Sequence, residues 1–119
     1  MRRIGWSLAA ALTLSSPAHV GPSLAQDAGV TGATVLERCT SGASATAGWC
    51  VGFIYGIGQV VADGSVEERL RACPPADFDS ETARLLVVGA IRNTEALRDL
   101  PGAYAVWYAL RKEFPCQRP

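Results

Sequence analysis

Two stretches of this chain are apolar on every side, and elsewhere apolar residues recur at helical spacing. The first runs from Ile4 to Leu14; the second reads WCVGFIYGIGQVVA from Trp49 to Ala62, with Gln59 its one polar side chain. A surface helix keeps one polar face, so the second stretch predicts a central helix surrounded by partners, with Gly64 as its C-cap. Within it, Gly52 and Gly56 stand four apart on one face, and each costs about 1 kcal/mol relative to Ala. Close approach by a neighbouring helix is the expected compensation.

Shorter helices flank the central one. Thr34-Val35-Leu36-Glu37 fits a capping box, so a first helix runs from Thr31 or Thr34 to Cys39. Thr40 to Gly48 has no large apolar residue and reads as a surface loop. Ser65 to Ala72 spaces Val66 and Leu70 four apart among charges, a short exposed helical segment that Pro74-Pro75 stops. Asp79 or Ser80 caps a third helix with Leu85, Val88, Ala90 and Ile91 on its apolar face, ending near Arg92 or Asn93. A fourth starts near Pro101 and carries Ala103, Trp107, Leu110 and Phe114 on one stripe, which reads as core packing and not as a ligand-stacking site. No segment alternates for long enough to demand a strand. The expected fold is all-α, a small bundle of about four helices.

The apolar run of residues 4–14 has a different meaning. It follows Met1-Arg2-Arg3, is about half the ~20 residues a spanning helix needs, and precedes Ser23-Leu24-Ala25, which places small side chains where a signal peptidase reads. Residues 1–25 are therefore expected to be a cleaved signal peptide and 26–119 a single exported domain, with no membrane attachment after cleavage.

Cleavage alters the charge and the available chemistry. The whole chain balances 11 Lys+Arg against 11 Asp+Glu, which excludes the basic stripe that nucleic-acid binding needs. The mature part is mildly acidic, because Arg2 and Arg3 leave with the signal, and His19, the single histidine, leaves too. Nucleophilic and acid-base catalysis would have to proceed without histidine, so no enzyme, no catalytic residue and no cofactor is expected. Gly56-x-Gly58 lacks the rest of a dinucleotide fingerprint.

All four cysteines, Cys39, Cys50, Cys73 and Cys116, stay in the exported part. An even number in a small exported domain indicates disulfides, and the spacings contain no C-x2-C or C-x4-C pair for zinc, so no metal is expected. Only a flexible loop separates Cys39 from Cys50, which makes that closure the least costly in entropy and leaves Cys73 for Cys116. Loop-closure entropy assigns about 3 kcal/mol to the short bridge and about 4 kcal/mol to the long one.

The order Cys39, then Cys50-x-Gly52-Phe53-Ile54-x-Gly56, then Cys73-Pro74-Pro75, and finally Ala109-Leu110-x-x-x-Phe114-Pro115-Cys116 resembles the Tai-type immunity family. These are small exported helical proteins that protect bacteria from peptidoglycan amidase effectors delivered by type VI secretion. The resemblance implies a periplasmic protein that binds such an amidase and covers its active site. The implied partner is a cognate amidase effector; a homodimer with a second copy of the chain is a separate expectation. Family members commonly carry a His-Pro-type step between the last two helices, where this chain has Asn93-Thr94. The polar connection of Asn93, Thr94, Glu95, Arg98 and Asp99 is the expected contact surface. The competing function is a periplasmic structural or chaperone-like helical protein that keeps the disulfide frame without an amidase partner.

Overall fold

A computed structural model describes residues 29–117; the expected signal segment, 1–25, with Met1 and His19, lies outside the described residues. Four helices form: α1 (Gly32–Thr40), α2 (Ser44–Ala62), α3 (Ser80–Asn93) and α4 (Gly102–Glu113), with single 3-10 turns at Glu68–Leu70 and Glu95–Arg98. Two isolated β-bridges, Thr31 with Pro101 and Ala72 with Pro115, tie helix ends together. The disulfides are Cys39–Cys50 and Cys73–Cys116, the pairing that loop-closure entropy favours. The all-α expectation and the helix number hold.

The first helix is capped by Thr31. Its hydroxyl accepts from the Thr34 amide at 3.3 Å, and the Thr34 hydroxyl accepts from the Thr31 amide at 3.4 Å. The box therefore closes between two threonines one turn earlier than the Thr34–Glu37 alternative. Val35 and Cys39 point into the core from the next turns.

The second helix starts earlier than its apolar pattern indicates. Residues 44–48, expected in a loop, form its first turn and a half, and the connection to α1 shrinks to Ser41-Gly42-Ala43. Alanine-rich sequence favours helix without supplying an apolar face, so hydrophobic periodicity does not register it. The expectation that α2 is enclosed is also overturned. Only Cys50, Ile54 and Val61 are buried, while Tyr55 is 38% and Val60 58% exposed. The other three helices pack along one side, and among the described residues no helix covers the opposite one. By length and composition alone α2, 19 residues without a charged side chain, is long and apolar enough to cross a bilayer. Here its Cys50 is cross-linked to α1 inside the bundle.

The glycine assignment needs correction. Gly52 and Gly56 are exposed, and a Cβ built on either meets no heavy atom within 4 Å. They face solvent because they lie opposite the Cys50–Ile54 stripe. Close approach occurs instead at Gly32 and Gly102. A Cβ on Gly32 would lie 1.9 Å from the Leu97 carbonyl oxygen, and one on Gly102 would lie 2.8 Å from Val30 Cγ1 and 2.9 Å from Val35 Cγ2. Each amide donates across the same crossing, Gly32 to the Leu100 oxygen at 2.9 Å and Gly102 to the Val30 oxygen at 2.7 Å. The starts of α1 and α4 thus meet backbone to backbone.

That contact rotates the apolar face of α4. Gly102, Ala105, Val106, Ala109 and Leu110 are buried, while Ala103 is exposed. Small residues fill the narrow crossing, and Trp107 and Phe114 pack half-buried at its rim. Trp107 Nε1 donates to the Leu70 carbonyl oxygen at 2.7 Å, and Phe114 meets Phe78 edge-on with centroids 4.9 Å apart. In α3 the buried face is Ala83, Val87, Val88 and Ile91, with Leu85 turned out to 56% exposure. The core is therefore aliphatic, with Val35, Val87, Ile91, Val106 and Leu110 fully covered, each worth about 1.5–3 kcal/mol of burial.

Asp79 caps α3, accepting from the Thr82 amide at 2.9 Å and the Thr82 hydroxyl at 2.7 Å. Those bonds, the hydroxyl first, hold its carboxyl below the usual carboxylate range. Depression means that the charged cap stabilises the fold above the unfolded pKa and that this contribution disappears as pH falls through the folded one. Asp79→Ala is expected to lower the thermal midpoint at pH 7, with the deficit shrinking in strong acid. Asp79→Asn keeps the acceptor and should lose less. Melting curves of the three proteins across pH check this; equal deficits at pH 7 and in strong acid would contradict it.

Candidate functional site

The connection between α3 and α4 is built from the inside out. Leu97 is 2% exposed and anchors the turn in the core, while its carbonyl packs against Gly32. Leu97 N–H closes the turn on the Thr94 carbonyl at 3.0 Å. With Leu97 and Leu100 both tied to the start of α1, the polar residues around them occupy fixed positions.

Asn93 ends α3 and is exposed, Thr94 follows half-buried, Glu95 and Asp99 are exposed, and Arg98 is half-buried. All five expected contact residues therefore share one short, anchored segment. They do not all line one concavity. Asn93 and Thr94 border a groove of about 290 Å³ between α3 and α4, together with Leu85, Leu86, Lys112 and Glu113, whereas Glu95, Arg98 and Asp99 lie outside it.

A second concavity, of about 220 Å³, lies between α2 and the Pro74-Pro75 turn. Ile54, Tyr55, Gln59, Pro74, Pro75 and Phe78 line it. The Tyr55 hydroxyl donates to the Phe78 carbonyl oxygen at 3.0 Å, fixing one wall. None of the lining residues is charged. Sequence reasoning misses this groove because an all-round apolar pattern implies enclosure. The available signal is the lack of any Asp, Glu, Lys, Arg or His from Ser44 to Ala62 together with a nearby Pro-Pro turn.

Around the inner disulfide the side chains form a structural clamp. Arg84 reaches from α3, donating from Nη1 to the Cys39 carbonyl oxygen at 2.9 Å and pairing with Glu81 at 2.6 Å. Hydrogen bonding to the Arg84 guanidinium lowers the Glu81 pKa, and the same bond raises that of Arg84. Arg38 lies over Trp49 at 4.4 Å, and Trp49 stacks on Phe53 at 4.9 Å, joining the first two helices beside the bridge.

The remaining shifted group is Asp63, lowered first by its hydrogen bond from Ser65. Asp63, Asp79, Glu81 and Arg84 owe the largest part of their shifts to hydrogen-bond partners within three residues. None of the four lines either groove. Among the described residues, no group of three or more His, Cys, Asp or Glu side chains is placed to hold a metal ion. Concavities beside an anchored polar turn are the features of a protein-binding scaffold.

Comparison with protein families agrees with that class. The chain belongs to the Rap1a immunity proteins, whose family model matches residues 31–116, from the α1 cap to the final cysteine. No curated protein and no solved structure matches the chain significantly. The match establishes an immunity family, a class defined by binding a cognate effector, and does not separately name the Tai-type branch or an amidase target.

Proposed function

We propose that this protein is a periplasmic immunity protein that binds a peptidoglycan amidase effector delivered by type VI secretion and inhibits it by covering its active site. Family membership supports the immunity role, and the resemblance of the cysteine-centred motifs to the Tai-type family supports the amidase target. The observation that carries the reading is the anchored α3–α4 connection. Leu97 and Gly32 hold its polar side chains in place, so little ordering entropy is lost when a partner docks. The mildly acidic exported chain acts by contact and performs no reaction of its own.

The uncharged groove beside α2 is the specific observation favouring the other reading, a structural or chaperone-like protein that holds apolar segments. One experiment separates them. The exported protein is mixed with exported amidases encoded beside it, and complex formation and amidase activity are measured. Immunity predicts a stable complex and loss of activity, and Glu95→Lys with Asp99→Lys is expected to weaken inhibition at least about tenfold, within the range of interface hot spots. Indifference to every neighbouring amidase, with binding of unfolded clients, would support the alternative.

A further inference from the structure

The two disulfides differ in what covers them. Cys39 and Cys50 are 3% and 0% exposed, enclosed by α1, α2 and the Arg84 side chain that bonds the Cys39 carbonyl. Cys73 is exposed and Cys116 half-buried, three residues beyond the end of α4. Thiol–disulfide exchange requires a thiolate to reach one sulfur, so access decides which bridge opens, independently of how much each bridge stabilises the fold.

Opening the outer bridge leaves its surroundings connected. The Ala72 amide donates to the Val61 oxygen at 2.9 Å, the Cys73 amide to the Phe114 oxygen at 2.8 Å, and Trp107 Nε1 to the Leu70 oxygen at 2.7 Å. These bonds hold the segment before Pro74-Pro75 against α2 and α4 whether or not the sulfurs are joined. The inner bridge has no such separation from the core, because both its cysteines are core residues.

We propose that Cys73–Cys116 is a thiol-exchange site that an exported dithiol opens selectively while Cys39–Cys50 and the helical bundle stay intact. A thiolate of the dithiol attacks Cys73 Sγ, the S–S bond breaks, and its electron pair leaves on Cys116 Sγ, which takes up a proton. The second thiol of the dithiol, deprotonated, then attacks the mixed disulfide. Cys73 leaves as a thiolate and is protonated, and the dithiol departs as a cyclic disulfide. The protein gains the two electrons that the dithiol loses.

The test uses the folded protein and dithiothreitol as the dithiol. Aliquots are quenched by alkylation at intervals and the labelled cysteines mapped by peptide mass spectrometry, with far-ultraviolet circular dichroism recorded in parallel. The expected result is labelling of Cys73 and Cys116 at least about tenfold faster than of Cys39 and Cys50, with helicity unchanged after the first step. Labelling of all four cysteines in one phase, earlier labelling of Cys39 and Cys50, or loss of helicity with the first pair would overturn it.

Discussion

Gly32→Ala is expected to destabilise the protein by about 3 kcal/mol or more, at the upper end of overpacking substitutions. The added methyl would sit 1.9 Å from the Leu97 carbonyl oxygen, and that oxygen belongs to backbone anchored by a buried side chain. Neither side can yield cheaply: moving α1 away breaks the 2.9 Å bond from Gly32 to Leu100, and moving the turn withdraws Leu97 from the core. In a domain of this size each kcal/mol corresponds to about 4–8 °C, so the thermal midpoint should fall by about 12–24 °C. The control is the glycine pair that the sequence alone marks for packing. Gly52→Ala and Gly56→Ala place a methyl in open space and remove backbone freedom from the unfolded chain, so each should raise stability by roughly 0.4–1 kcal/mol. Midpoints that move the same way in Gly32→Ala and Gly52→Ala would refute this account of the packing.

Removal of the inner disulfide, by Cys39→Ala together with Cys50→Ala, is expected to cost about 3 kcal/mol from loop closure alone. The eleven-residue separation closes a short loop, but both cysteines also fill core positions and fix the register between α1 and α2. Ala leaves two small voids where the sulfurs were, which adds to the loss. Urea unfolding measures the difference; an unchanged midpoint would mean that the α1–α2 pair is held by the Arg38–Trp49–Phe53 stack and the Arg84 clamp without the covalent link.

These two predictions rest on features of unequal visibility in the sequence. The disulfide pairing follows from chain order and loop entropy, both linear properties, and is readable without coordinates. The glycine contact is not, because Gly32 and Leu97 are 65 positions apart and nothing local distinguishes Gly32 from Gly52. The α4 face shows the same limit. Trp107 and Phe114 dominate any count of apolar area, yet the buried positions are Gly102, Ala105, Val106, Ala109 and Leu110, and both rings stay half-buried at the rim. For the expected contact residues, the sequence identifies a polar segment. Its anchoring by Leu97, and its division between the groove bordered by Asn93 and Thr94 and the surface beyond, depend on where α1 arrives.

By itself the sequence determined the helical class, the number of helices, the two bridges and the immunity-family motifs, because each depends on spacing within one segment or on the order of cysteines. The tertiary structure alone decided which face of each helix is buried. That outcome depends on how closely backbones approach at the crossings, and hydrophobic periodicity carries no information about distance between segments. α2 is the plainest instance: uniformly apolar from Trp49 to Ala62, it is covered on one side only, because among the described residues the other three helices all pack against that side.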